Sequence, residues 1–459
     1  MRHLWAEQAL TDRGWEKNVR VTIGVDGVIS TVEANCPAPQ SVAEGESFGI
    51  LLPAPTNLHS HAFQRALAGM TETRGQDPRD SFWTWRKLMY RFLDHLTPDD
   101  IEAITGFVQM EMLEAGYAAA CEFHYVHHQA GGISYDDIGE LSSRVIAATA
   151  ETGIGLTLLP VLYEHGGCDG RVLGPGQIRF GNSPERFQKL FEAAGKALDV
   201  LPDDSRLGVA PHSLRAVSQE GLTFAAGLAP KAPLHMHIAE QTAEIEEIQA
   251  AWGKRPMEWL LENHEVDNRW CLIHSTHMEP HETEGLARSG AVAGLCPITE
   301  SSLGDGIFDG VRYLAAGGKF GIGSDSNIRI SLAEELRTLE YSQRLRDRGR
   351  AVLATATQST GRVLLEGAAL GGAQAGQRNA GVLKAGKTAD IFALDANAVD
   401  LLGKEGDALL DSYIFAGDDR MITDVWSAGR HLVKEGRHIK HDLLVERYKK
   451  TMKSLRDRV

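Results

Sequence analysis

Four short stretches carry side chains that could hold a metal ion and move protons. TNLHSHAFQR (56–65) sets His59 and His61 two residues apart behind an apolar, proline-punctuated run. LHMHIAE (234–240) offers His235, His237 and Glu240, RWCLIHST (269–276) ends near His274, and GIGSDS (321–326) holds Asp325. If TNLHSH is a strand, alternation sends His59 and His61 to the same side, roughly 7 Å apart, so their imidazoles can converge. Three histidines and one carboxylate, with a position left for water, suit a hydrolytic Zn²⁺ site. Each residue alone has a plainer reading. Asp325 in a Ser-Asp-Ser run suits a helix cap, His274 a hydrogen-bonded core histidine, and Glu240 a first helical turn. His235 and His237 share a face, so parity does not choose between them.

What makes the joint pattern informative is where the elements would put it. Between about 54 and 380 the chain alternates brief apolar strands with amphipathic helical patterns. We read eight strands: LLPAPTNLHSH, AACEFHY, IGLTLLPVLY, LGVAPHS, PLHMHIAE, RWCLIHST, AVAGLCPIT and FGIGSDS. Eight such units predict an α/β fold, a (β/α)₈ TIM-type barrel, whose active sites lie at the C-terminal ends of the strands. All the candidate residues fall at that edge. A doubly wound sheet would want a G-x-G-x-x-G turn after an early strand, and the first strand carries His-Ser-His instead. Both chain ends are β-rich. VRVTIGVDGVISTVE reads as a hairpin around Asp26-Gly27, and ADIFALD and ITDVWSAGRHLVKEGRH read as strands. The expected organisation is a small β domain formed by both termini (1–53 and 386–459) around a barrel spanning 54–385, with LLVERYKKTMKSLRDRV as a final amphipathic helix.

The bulk numbers bound the function class. At 459 residues with 43% hydrophobic content the chain can bury a large core beside a smaller domain. A formal charge of −15, from 47 basic and 62 acidic side chains, disfavours nucleic acid and anionic membranes as partners. A local arginine cluster could still bind a small anion. Five scattered cysteines without a C-x-x-C pair suit a reducing compartment. No signal-peptide core and no run of about 18 apolar residues is present, so the expectation is a cytoplasmic protein.

On these motifs the chain resembles the amidohydrolase superfamily, and within it the deaminase branch, over essentially its whole length. By that resemblance the metal ligands are His59, His61, His237 and Asp325. Glu240 of His-Ile-Ala-Glu shuttles protons, and His274 is the strand-six histidine. Many relatives bind two metals through a carboxylated lysine on strand four. LGVAPHS has no lysine, which points to one Zn²⁺ per chain. Longer stretches, NLHSHAFQRALAGM, SFWTWRKLMYR, EFHYVHH, HSLRAV, HIAEQ and LGDGIF, are similar to the formimidoylglutamate deiminase family of bacterial histidine degradation. That resemblance implies a small dicarboxylate substrate, N-formimino-L-glutamate, held by Gln64, Arg86, Tyr125, His212 and Arg215, and a homodimer. One departure is Asn327 in SDSNIRIS, where relatives often carry histidine.

The residue chemistry agrees with that implication. Two carboxylates call for planar guanidinium forks, which Arg86 and Arg215 provide, with hydroxyl and imidazole donors beside them. Each arginine taken alone reads as a surface ion pair, and the aromatic residues of SFWTWRKLMYR as core or lid. Catalytic roles would fall to Asp325 and His274, which orient water and take its proton, and to Glu240, which protonates the imino nitrogen. Two rivals stay open. A ring deaminase, for guanine or a pterin, would favour stacking surfaces over paired arginines, and a catalytically dead barrel would lack the complete set of ligands.

Overall fold

The computed structural model describes residues 1–72 and 82–458. Of the segment SFWTWRKLMYR, side chains up to position 84 lie outside the described residues.

Eight parallel strand positions form the barrel. Strands one to three are Thr56–Ser60, Ala119–His124 and Gly155–Leu162. Strand four is two short pieces, Arg206–Leu207 and Ala210–Pro211, both paired with strand three. Strands five to eight are Leu234–Ile238, Trp270–His274, Val292–Leu295 and Lys319–Ile322. Single parallel bridges close the ring: Val209 to Leu234 and Ser213 to His237 join strand four to five, and Ser60 to Asp325 joins eight to one. Strands one, two, three, five, six and seven are buried along their whole length, as expected where a parallel sheet is covered on both faces.

The run LLPAPTNLHSH, read as one strand, is two. Glu46–Pro53 belongs to another sheet, and the barrel strand begins at Thr56. Prolines 53 and 55 lack the N–H that a continuous ladder needs, so the chain changes sheets there. That other sheet has eight strands, four from each end of the chain. The N-terminal four are Arg2–Thr11, Gly14–Ile23, Ile29–Glu33 and Glu46–Pro53. Glu46–Pro53 pairs antiparallel with Ile391–Leu394, which leads to Ile422–Ser427, Arg430–Lys434 and Arg437–His438. The hairpin around Asp26-Gly27 is present, and Gly27 sits at φ 75° with its α-carbon so close to the Ala428 carbonyl that a side chain would not fit.

The final helix, His441–Arg456, lies on the barrel helix Pro98–Glu114 rather than on the terminal sheet. Tyr448 stacks on Phe107 at 4.0 Å, and Arg447 pairs with Glu151. Among the described residues no helix is long and apolar enough to cross a membrane.

Candidate active site

Strand ends bring the four stretches together at one end of the barrel. His59 and His61 leave strand one on the same side, with ring centroids 4.6 Å apart. His237, on strand five, places its Nε2 3.0 Å from His59 Nε2, and His61 Nε2 lies 3.2 Å from the same atom. Asp325 Oδ1 stands 3.6 and 3.3 Å from the Nε2 atoms of His59 and His61. The ambiguity between His235 and His237 is resolved by depth. His235 sits lower in the barrel, its Nε2 on the Ala375 carbonyl at 2.9 Å.

The protonation of this cluster argues for a cation. Burial pushes His59 and His237 well below the ordinary imidazole value and His61 to about 3, so all three are neutral. His61 Nδ1 faces the Phe123 carbonyl at 2.9 Å and His237 Nδ1 faces the His212 carbonyl at 3.1 Å. A carbonyl only accepts, so both Nδ1 atoms carry the proton and both Nε2 atoms present lone pairs. His59 Nε2 holds at most one proton, so at least one contact near 3 Å is lone pair against lone pair. A divalent cation bound by these residues removes that repulsion, and carbonyl-anchored Nδ1–H groups are the usual outer support of metal-binding histidines. The donor set, three imidazoles and a carboxylate, fits Zn²⁺.

Backbone strain gathers around the cluster. Ala239, His274, Ser275, Asp325 and Asn327 all have φ between 49° and 68°, a region non-glycine residues seldom occupy. Gly323 lets strand eight lie against His59, where a β-carbon would fall 2.7 Å from the His59 Cβ. Asn327 does not face the pocket. It is fully buried, accepts from Ser324 Oγ at 2.6 Å and donates to Ser60 Oγ at 3.2 Å and the Asp325 carbonyl at 3.1 Å. It ties the end of strand eight to strand one and thereby sets where Asp325 stands.

Beside the cluster lie the acid–base candidates. His274 Nε2 is 3.9 Å from both Glu240 Oε1 and Asp325 Oδ2, while its Nδ1 is 3.3 Å from Glu300 Oε1. Burial opposes charge on His274, but Glu240, Glu300 and Asp325 outweigh it and raise its value to about 10. Burial raises Glu240, but Arg215, His274 and Arg86 more than offset this and leave it below the usual carboxylate value. Arg215 Nη2 contacts Glu240 Oε2 at 2.6 Å and its Nε lies 3.5 Å from Glu244. Those two acids answer the cost of burying this arginine.

Of the remaining sequence candidates, Gln64, Arg86, Tyr125, His212 and Arg215 all line one cavity with His61, His237, Glu240, His274 and Asp325. Gln64 Nε2 donates to Tyr125 Oη at 2.6 Å, and its Oε1 is buried with no partner among the described residues. Three residues there were not singled out from sequence. Phe123 packs its ring 4.5 to 5.4 Å from His59, His61 and His237; Glu300 holds His274; Tyr163 lines the cavity wall. Phe123 reads as core in sequence, and alternation with Tyr125 was its one available signal. Glu300 gave none.

The sequence matches the Amidohydrolase family over residues 50–432, and residues 1–41 match the domain described as Formimidoylglutamate deiminase HutF, N-terminal domain. A formimidoylglutamate deiminase of Pseudomonas aeruginosa is 49% identical over 440 residues, 95% of this chain and 96% of that protein. The crystal structure of an amidohydrolase from Brucella melitensis superposes with a TM-score of 0.94 at 45% identity, covering 99% of this chain and 100% of that one. An adenosine deaminase from Xanthomonas campestris with bound zinc shares the fold, with a TM-score of 0.81 at 21% identity, covering 99% and 98%. The chain therefore belongs to the amidohydrolase family and, within it, to the formimidoylglutamate deiminases.

Proposed function

We propose that the protein hydrolyses N-formimino-L-glutamate to N-formyl-L-glutamate and ammonia, a step of histidine degradation, with one Zn²⁺ per chain. The observation that carries this reading is the charge layout of a single cavity. Imidazole lone pairs and a carboxylate converge on its floor, Glu240 and His274 stand beside them, and the guanidinium groups of Arg86 and Arg215 stand in its wall. The identity of 49% to a deiminase of that name supports the substrate assignment.

His59, His61, His237 and Asp325 would hold the metal, which supplies a Lewis acid that makes water nucleophilic near neutral pH. His274, held charged by Glu240, Glu300 and Asp325, orients the attacking water, and Asp325 takes its first proton. Glu240, ionised at rest beside Arg215, relays that proton and then the second water proton to the imino nitrogen. The C–N bond to that nitrogen breaks, ammonia leaves, and the carbon keeps the water oxygen as a formyl carbonyl. Gln64 Oε1, buried without a donor, suits an N–H of the formimino end. Arg86, Tyr125, His212 and Arg215 bind the two carboxylates. For Arg215 this means exchanging part of its contact with Glu240 for the substrate, which couples carboxylate binding to the state of the proton shuttle.

The same reading makes the enzyme a cytoplasmic homodimer. Five free thiols support the reducing compartment, and light scattering tests the dimer. The decisive experiment measures metal content together with ammonia release from formiminoglutamate and from guanine. We expect close to one Zn²⁺ per chain and turnover of formiminoglutamate alone. Two tightly bound metals per active chain, or preference for guanine, would overturn the assignment.

A further inference from the structure

Tyr163 follows directly on barrel strand three, and its ring lies 4.6 Å from that of His212. Its hydroxyl is held from two sides, by Gln177 Nε2 at 2.9 Å and by Arg86 Nη2 at 2.9 Å. The direction of both contacts follows from chemistry. The Gly174 N–H donates to Gln177 Oε1 at 2.9 Å, so the other end of that amide is the NH₂ donor. A guanidinium has no acceptor, so Arg86 also donates. Both lone pairs of the Tyr163 oxygen are therefore filled, and its single proton has no acceptor among the described residues. A buried hydroxyl donor without a partner is costly. Tyr163 is 2% exposed, and the open space at its tip is the cavity it shares with Arg86, His212 and Arg215.

We propose that Tyr163 is a specificity-determining residue whose hydroxyl donates its proton to the substrate carboxylate that Arg86 also binds. The inference rests on the deiminase reading of the site. The rings are stepped outward from the metal ligands: His237 to His212 is 4.8 Å, and His212 to Tyr163 is 4.6 Å. With the formimino carbon at the ligand cluster, the group that reaches Tyr163 is the side-chain carboxylate, the one farther from the reacting carbon. Gln177 acts through Tyr163 as a positioning residue. An amide in place of that carboxylate would turn N–H groups towards donors only, so the same device excludes neutral analogues.

The test compares two substrates in wild type and Tyr163→Phe. N-formimino-L-glutamate has the second carboxylate and N-formiminoglycine lacks it. For formiminoglutamate, Tyr163→Phe should lower kcat/KM by about tenfold to a hundredfold, mostly through KM, the loss expected for a hydrogen bond to a charged group. The loss should exceed that for formiminoglycine by at least about tenfold. An equal loss for both substrates, or none for either, would overturn the proposal, the first by making Tyr163 merely structural. Wild-type protein that releases no ammonia from formiminoglutamate would fail the deiminase reading instead. Calorimetric titration of glutarate then decides Tyr163 by itself, with tighter binding to wild type expected and equal binding overturning it. Should Tyr163→Phe not fold, Gln177→Met reads the same contact from its far side. It should raise KM for formiminoglutamate about threefold, and an unchanged KM would count against the proposal.

Discussion

Two charge clusters, one partly exposed and one buried, sit in different parts of the molecule and are built to opposite ends. At the junction of barrel and terminal sheet, Arg378 pairs with Asp390 and with Asp204, and Arg430 grips Asp204 through two contacts of 2.9 and 2.7 Å. Asp390 also accepts the Ala428 N–H at 2.8 Å. Two guanidinium groups meet two carboxylates, and the polar atoms have partners. In the cavity, by contrast, His59 Nδ1, Gln64 Oε1 and Arg215 Nε are buried without a hydrogen bond among the described residues, and imidazole lone pairs face each other. The backbone does not separate the two: left-handed residues lie at both, His274 and Asp325 at the cavity and Gln377 and Ala428 at the junction. A cluster that completes itself holds the fold together. One left incomplete under burial fits the proposed metal and substrate site, because ligands would bring the missing partners.

The strongest challenge to that contrast is removal of a ligand. His59→Ala or His237→Ala should abolish metal binding and ammonia release together while the far-ultraviolet spectrum stays native. A variant that keeps full metal and activity would show that the lone-pair cluster is not the metal site. Next in size, Glu240→Gln and His274→Asn should retain the metal and lose about 10²–10⁴ in kcat, the range of general acid–base catalysis. Near-normal kcat for Glu240→Gln would remove it from proton transfer.

Arg215→Ala separates the two uses of buried arginine. It should lower kcat/KM for formiminoglutamate at least about a hundredfold with metal retained, since stripping one partner from a buried pair costs roughly 3–5 kcal/mol. Unchanged kinetics would mean a pocket built for another substrate. The smallest effect on catalysis belongs to the junction. Asp204→Asn should cost about 1–3 kcal/mol of stability and leave kcat alone, as read by thermal unfolding and ammonia release. Burial raises the Asp204 carboxyl, but Arg430 and Arg378 outweigh it and hold the group below its ordinary value. A depressed carboxylate contributes stability above its unfolded value of about 3.9, and that contribution is lost as pH falls through the folded value. The wild type should therefore lose stability in acid more steeply than Asp204→Asn, and equal slopes would exclude Asp204 from the acid response.

Much of this molecule was legible in the one-dimensional chain. Strand periodicity and the position of polar residues at strand ends carry the barrel, because a parallel strand buried on both faces must be apolar until it reaches the functional rim. His59 and His61 converge because side chains alternate with period two, a local property. Neither consequence needs tertiary information. The choice of His237 over His235 does, because parity treats them alike and only their height in the closed barrel separates them. The same holds for the partners of Arg215, which reads as a carboxylate fork in sequence and in the fold first meets Glu240, a residue 25 positions away. Asn327 stands near Asp325 in sequence, yet its role depends on Ser60, brought alongside only when strand eight closes on strand one. Tyr163 looked like the last residue of an apolar strand. The two contacts that orient its hydroxyl exist only where the fold sets Gln177 on one side and Arg86 on the other. Sequence determined which chemistry was present and on which end of which strands. Tertiary closure alone decided which donors and acceptors met and which were left over, because pairing is a property of distances between segments that propensity and spacing do not encode.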